Sequence, residues 1–143
     1  MISPIKFSYT RFPVLDCEGK EVDEVFRPLI PITFVDGPKQ ITTMAIIDTG
    51  ADECCFPGEV ATYLGHNLTK GNARPFNGVG GMVIAHLHQT NVVISGHKLQ
   101  MNIYYSDSWN NTGICLLGQN SFLTRFNVTL NRKDKEFEIL FRG

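Results

Sequence analysis

The stretch "MAIIDTGADECCFP" (residues 44–57) decides how this chain is read. Met44, Ala45, Ile46 and Ile47 run straight into Asp48, Thr49 and Gly50, and the acidic pair Asp52–Glu53 follows. A short apolar run bounded by a turn signal reads as a buried strand. A carboxylate at its end sits where burial penalises the charged form. Thr49 offers a hydroxyl that can lock the loop. Gly50 turns the backbone and leaves no Cβ between its N–H and the carboxylate. Ala51 is small enough for a second chain or a substrate to approach closely. The same tripeptide also occurs as an ordinary surface turn, so the local pattern leaves two readings open.

The rest of the chain narrows them. At 143 residues it is read as one domain, long enough to bury a core without a metal or disulfide staple. Thirteen basic residues against 14 acidic ones leave it near neutral, and no basic block exists, which argues against nucleic acid as a partner. The apolar runs are too short to cross a bilayer, so no membrane partner is expected. "MISPIKFSYTRFPV" (1–14) lacks the continuous apolar stretch of a signal peptide, and the expected location is cytoplasmic. Cys17, Cys54, Cys55 and Cys115 form no C-x-x-C pair and are read as free thiols of a reducing compartment.

Segments rich in Val, Ile, Thr, Phe and Tyr, punctuated by Gly, Asp and Asn, predict an all-β domain built from hairpins. Alternation is clear in "VIAHLHQTNVVI" (83–94) and "EFEILF" (136–141), as in half-buried strands. Two short helices interrupt. "PGEVATYLG" (57–65) has Pro57 at its start, Val60, Tyr63 and Leu64 on one face, and Gly65 as its stop. "NSFLTRF" (120–126) is a turn or two capped by Asn120 or Ser121. "NRKDKE" (131–136) reads as a solvated hairpin turn.

Two further motifs follow the aspartate in order. "FNGVGG" (76–81) is a glycine-rich tip between two β-like segments, and "ICLLGQNSFLTRF" (114–126) is an apolar strand, a glycine and a short helix. The ordered set over residues 27 to 140 resembles the retropepsins, the retroviral-type aspartic proteases of the soluble cellular or bacterial kind. "AIIDTGAD" looks like their catalytic loop, "NGVGG" like their flap tip, and "LLGQN" like the element that braces the loop. The resemblance implies an all-β, closed β-barrel with a flap hairpin and one or two short helices, acting as a homodimer. Residues 27–143 would be the protease domain, and residues 1–26 a β extension packed on the same domain.

The chemistry so implied is an aspartic endopeptidase. Two carboxylates share one proton around a water, one acting as base and the other as acid. This chain carries one D-[TS]-G, so the second carboxylate must come from a second copy. The implied catalytic residues are Asp48, Thr49 and Gly50. Ala51, Asp52, Gly78, Val79, Gly80 and Gly81 would bind an extended peptide or protein substrate, and Leu117, Gly118, Gln119 and Asn120 would support the loop. Gln119 stands where the family usually has Arg, with Asp52 as its expected hydrogen-bond partner. No cofactor or metal is required. The alternative is a catalytically silent dimer of the same fold that binds peptides or proteins. A stable monomer is a third possibility.

Other candidates have simpler readings. His86 and His88 share a strand face, but no third zinc ligand stands at a suitable spacing, so a surface strand is expected. Trp109, in a polar loop, is expected half exposed and within reach of the rim of a site. Cys55 lacks a Cys/His spacing and reads as a packed thiol rather than a nucleophile. Phe76 and Val79 serve either flap packing or specificity.

Overall fold

The computed structural model describes residues 3–78 and 81–143. Among the described residues are twelve strands: β1 (Ile5–Ser8), β2 (Thr10–Leu15), β3 (Glu21–Arg27), β4 (Leu29–Asp36), β5 (Lys39–Ile47), β6 (Cys54–Pro57), β7 (Asn72–Gly78), β8 (Gly81–Ile94), β9 (His97–Ser106), β10 (Leu116–Leu117), β11 (Phe126–Asn131) and β12 (Glu136–Phe141). Helix α1 (Gly58–Tyr63) and three shorter helical turns complete the described residues. The fold is all-β with few helices, as expected.

The main sheet runs β4-β5-β10-β6-β9-β8-β7, and β4 also pairs with β8, so six strands form a closed circuit with β7 attached at its side. Hairpin geometry accounts for β4–β5 and β8–β9, each joined through left-handed residues at the turn (Gly37, and Ser95 with Gly96). Alternation then sorts the faces. Ile30, Ile32 and Phe34 of β4 point inwards, as do Val92 and Ile94 of β8 and Leu99, Met101, Ile103 and Tyr105 of β9. Phe34 meets Phe56 edge to face at 5.0 Å in this core.

β6 is "CCFP" and is buried along its whole length. It lies parallel to β9 and antiparallel to β10. Helix α1 follows directly, starting after Pro57 and ending before Gly65 at φ +90°. Its buried stripe is Val60, Ala61 and Leu64. Tyr63, expected on that face, is half exposed, because Ala61 takes the inward position one residue after Val60.

The N-terminal segment does not stand apart. β1 pairs with β12, which pairs with β11, in a three-stranded sheet, while β2 and β3 form their own hairpin. The turn at 132–135 joins β11 to β12, with Asn131 donating to Asp134. Residues 119–123 are an irregular turn with no side-chain cap. Neither expected cap residue serves it: Ser121, at φ +72°, accepts from the Asn102 N–H, and the Asn120 amide is bonded elsewhere.

Candidate active site

Asp48 lies one residue past β5. Its N–H donates to the Leu117 carbonyl (2.9 Å), continuing the parallel pairing of β5 with β10. Its carboxylate accepts from the Gly50 N–H at 3.0 Å, and its carbonyl from the Ala51 N–H at 3.2 Å. The side chain is therefore held by a strand behind it and a tight turn ahead of it. Asp48 is half-buried in the single chain, and Thr49 and Gly50 are exposed.

The brace comes from residues 117–120. Buried Gly118 packs against the loop so closely that a Cβ would overlap the carbonyl oxygen of Glu53 and come within 2.6 Å of that of Ala51. That contact admits glycine alone, although the backbone conformation is an ordinary extended one (φ −107°). The Gln119 N–H then donates to Ala51 O (2.8 Å) and the Asn120 N–H to Asp52 O (2.9 Å). The Gln119 side chain donates to Thr49 O at 2.6 Å. It does not take Asp52 as expected: a short amide reaches the nearer carbonyl, and Asp52 stays exposed.

Above this floor stands the β7–β8 hairpin. A cleft of about 880 Å³ separates the two, lined by Asp48, Gly50, Ala51 and Asp52 below and by Gly78 and Gly81 above. Val79 and Gly80 lie outside the described residues. One wall is aromatic. Phe76 meets Tyr104 (5.0 Å) and Trp109 (5.6 Å) edge to face, and Trp109 is buried rather than half exposed because that stack covers it.

A polar cluster was missed in the sequence. Glu53 is 9% exposed and accepts from the Arg74 guanidinium (3.1 Å) and the Asn120 amide (2.7 Å). Its partners lie 21 and 67 residues away, at no motif spacing, so only the fold brings them together.

The two cysteines beside the loop, Cys54 and Cys55, offer no nucleophile. Burial pushes the thiols of Cys54 and Cys55 up to about 12. Cys54 instead accepts from the Gly118 N–H and donates to Asn120 O, both at 3.4 Å. His88 is half-buried and faces inwards against His66 (Nδ1 to Nδ1 3.3 Å) and Tyr105, rather than lying on an open surface. Among the described residues no group of three or more His, Cys, Asp or Glu side chains could hold a metal ion, and no helix is long and apolar enough to cross a membrane.

Comparison with known proteins identifies the family and the fold. The model of the aspartyl protease family matches residues 30–121, from β4 through the brace. No curated protein matches the chain in sequence. Among solved structures, a retropepsin-like aspartic protease from Rickettsia conorii superposes with a TM-score of 0.63 at 22% identity, over 96% of this chain and 99% of that one. The chain belongs to the aspartyl protease family and has the retropepsin-like fold.

Proposed function

We propose that the chain is an aspartic endopeptidase whose active site is completed by a second copy of itself. The observation that carries this reading is the setting of Asp48. One carboxylate is fixed by the Gly50 N–H and by β10 at the floor of a large cleft, and the exposed Thr49–Gly50 turn beside it is open to a partner. In the C₂ dimer the two Asp48 carboxylates share one proton. The ionised one takes a proton from water, and the protonated one polarises the scissile carbonyl. Thr49 bonds across the axis and holds the two loops together.

Residues 78–81 act as a flap over an extended peptide, which pairs with the hairpin above and with residues 51 and 52 below. Leu117 to Asn120 support the loop. Residues 27–143 make up the protease domain, and residues 1–26 are an extension packed on it. A silent peptide-binding dimer is the competing reading.

Sedimentation, together with cleavage of a random peptide library between about pH 4 and pH 7, separates the two readings. Wild type is expected to be a dimer that cleaves, and Asp48→Asn a dimer that does not. The isosteric amide keeps an oxygen for the Gly50 N–H, so the loop survives the change. Cleavage by Asp48→Asn refutes the mechanism, and a cleaving monomer refutes the dimer. A wild-type dimer that binds peptides but never cuts them establishes the silent reading.

A further inference from the structure

We propose that Arg74 is the positioning residue of the β7–β8 hairpin, holding it at a set height over the cleft through Glu53. β8 begins to pair with β9 only at His86 and with β4 only at Asn91. Among the described residues, 74–78 and 81–85 therefore pair only with each other, while Asn72 and Ala73 pair with Leu87 and His86. Among the described residues, the Arg74–Glu53 bond ties this part of the hairpin to the floor, and the same guanidinium also engages Tyr104 of β9.

Both ends of that bond are held in place. Glu53 is buried, bonded to Asn120, and carried on the segment that the Gln119 and Asn120 N–H groups clamp. The guanidinium lies over the rings of Phe76 (5.1 Å) and Tyr104 (5.5 Å), which restrict it to one orientation. A planar cation so stacked loses little further freedom on bonding.

The chemistry of the link suits a part that must move. A backbone ladder at this point would fix the hairpin shut. A pair whose cation is 42% exposed exchanges readily for water and re-forms. The Phe76 contacts with Tyr104 and Trp109 supply non-directional adhesion, and Arg74 supplies the register. The kinetic consequence rests on the endopeptidase reading, whereas the structural consequence does not.

The test is amide hydrogen exchange on intact wild type, Arg74→Met, Arg74→Lys and Glu53→Gln without substrate. A two-stranded ribbon released from its support is marginal in water, so release appears as faster exchange along its own ladder. Arg74→Met is expected to speed exchange across 72–85 about tenfold, the scale of one charge-assisted bond, with β4–β5 unchanged. Arg74→Lys is expected to recover most of that protection. Glu53→Gln, which keeps an acceptor for Arg74, is expected to fall between Arg74→Lys and Arg74→Met. In peptide cleavage, Arg74→Met is expected to raise KM about five- to tenfold while kcat stays within about twofold, because binding is lost and chemistry is kept. Unchanged exchange in 72–85, or acceleration shared equally by β4–β5, overturns the proposal. Failure of wild type to cleave overturns the endopeptidase reading, and the exchange data still decide the role of Arg74.

Discussion

Gly118→Ala is the most exacting test of how Asp48 is held. The added Cβ would overlap the Glu53 carbonyl oxygen and stand 2.6 Å from that of Ala51. Ordinary carbon–oxygen contact begins at about 3.3 Å, so the two segments must part by roughly 0.7 Å or more. Such a shift lengthens the bonds from the Gln119 and Asn120 N–H groups to Ala51 O and Asp52 O, now 2.8 and 2.9 Å. Overpacking of this kind costs about 1–3 kcal/mol, and the two backbone bonds, lengthened rather than lost, add about 0.5 kcal/mol each. A total of about 2–4 kcal/mol follows from those two ranges. Unfolding entropy near 60 °C is roughly 0.3 kcal/mol/K for a chain of this size, so Tm should fall by about 7–13 °C. Calorimetry or thermal circular dichroism reads this directly. Gly78→Ala is the internal control, since its added Cβ meets nothing within 4 Å, and a shift under about 2 °C is expected there. A Gly118→Ala protein that melts within about 2 °C of wild type would refute the claim that this contact sets the loop.

Two further outcomes follow from buried titrating groups. His66 has its pKa lowered by burial and by the charge of His88, against an opposing pull from Asp36. The unfolded chain then binds the proton more readily than the folded one. Stability is full above the ordinary histidine pKa of about 6.5 and falls as pH drops through the folded-state value. Denaturant melts between about pH 8 and pH 5 should show that decline, and His66→Gln should flatten it; an equal slope in the variant excludes His66 as its source. Thiol labelling at neutral pH should run in order of exposure, Cys17 first and half-buried Cys115 later. Cys54 and Cys55, pushed up from 9.0 to about 12, should react only on unfolding, since their thiolate fraction is about a thousandfold smaller. Labelling of all four at one rate in the native protein would contradict the burial of β6.

What could be read from the sequence was what depends on near neighbours. Alternation marked β8 and β12, and the apolar run into Asp48 marked β5 and its turn. β6 was not legible, because "CCFP" has no alternation and becomes a strand only through pairing with β9 and β10, residues far along the chain. β7 was legible only as the β-like segment before the glycine tip, and its bounds were not. "NARPFNG" lies at the end of the main sheet, where a strand tolerates Pro75. β3, "EVDEVFR", is mostly exposed on both faces and shows no burial pattern. Around the site, the loop and brace that hold Asp48, Gly50 and Gly118 were legible because their backbone contacts are written in short motifs. The Glu53–Arg74–Asn120 cluster, the burial of Trp109 and the His66–His88 contact are side-chain meetings between distant segments, which no local period records.

The two halves of the cleft are built on different physical terms, and the difference bears on function. The floor is over-determined: the Asp48, Ala51, Gln119 and Asn120 N–H groups each find a carbonyl, and the Gly118 contact leaves no slack. Even the departure at residue 119 fits this scheme. A neutral amide bonded to Thr49 O adds one more tie to the loop. The hairpin above, by contrast, is held beyond its own ladder by the apolar packing of Phe76, Val83 and Ala85 and, among the described residues, by the half-exposed Arg74–Glu53 pair. Under the proposed function, a rigid floor would set the geometry of the reacting groups, while a lightly tied hairpin would let an extended chain enter and then close on it. Substitutions in the floor should therefore act on folding and kcat together, and substitutions at Arg74 on KM.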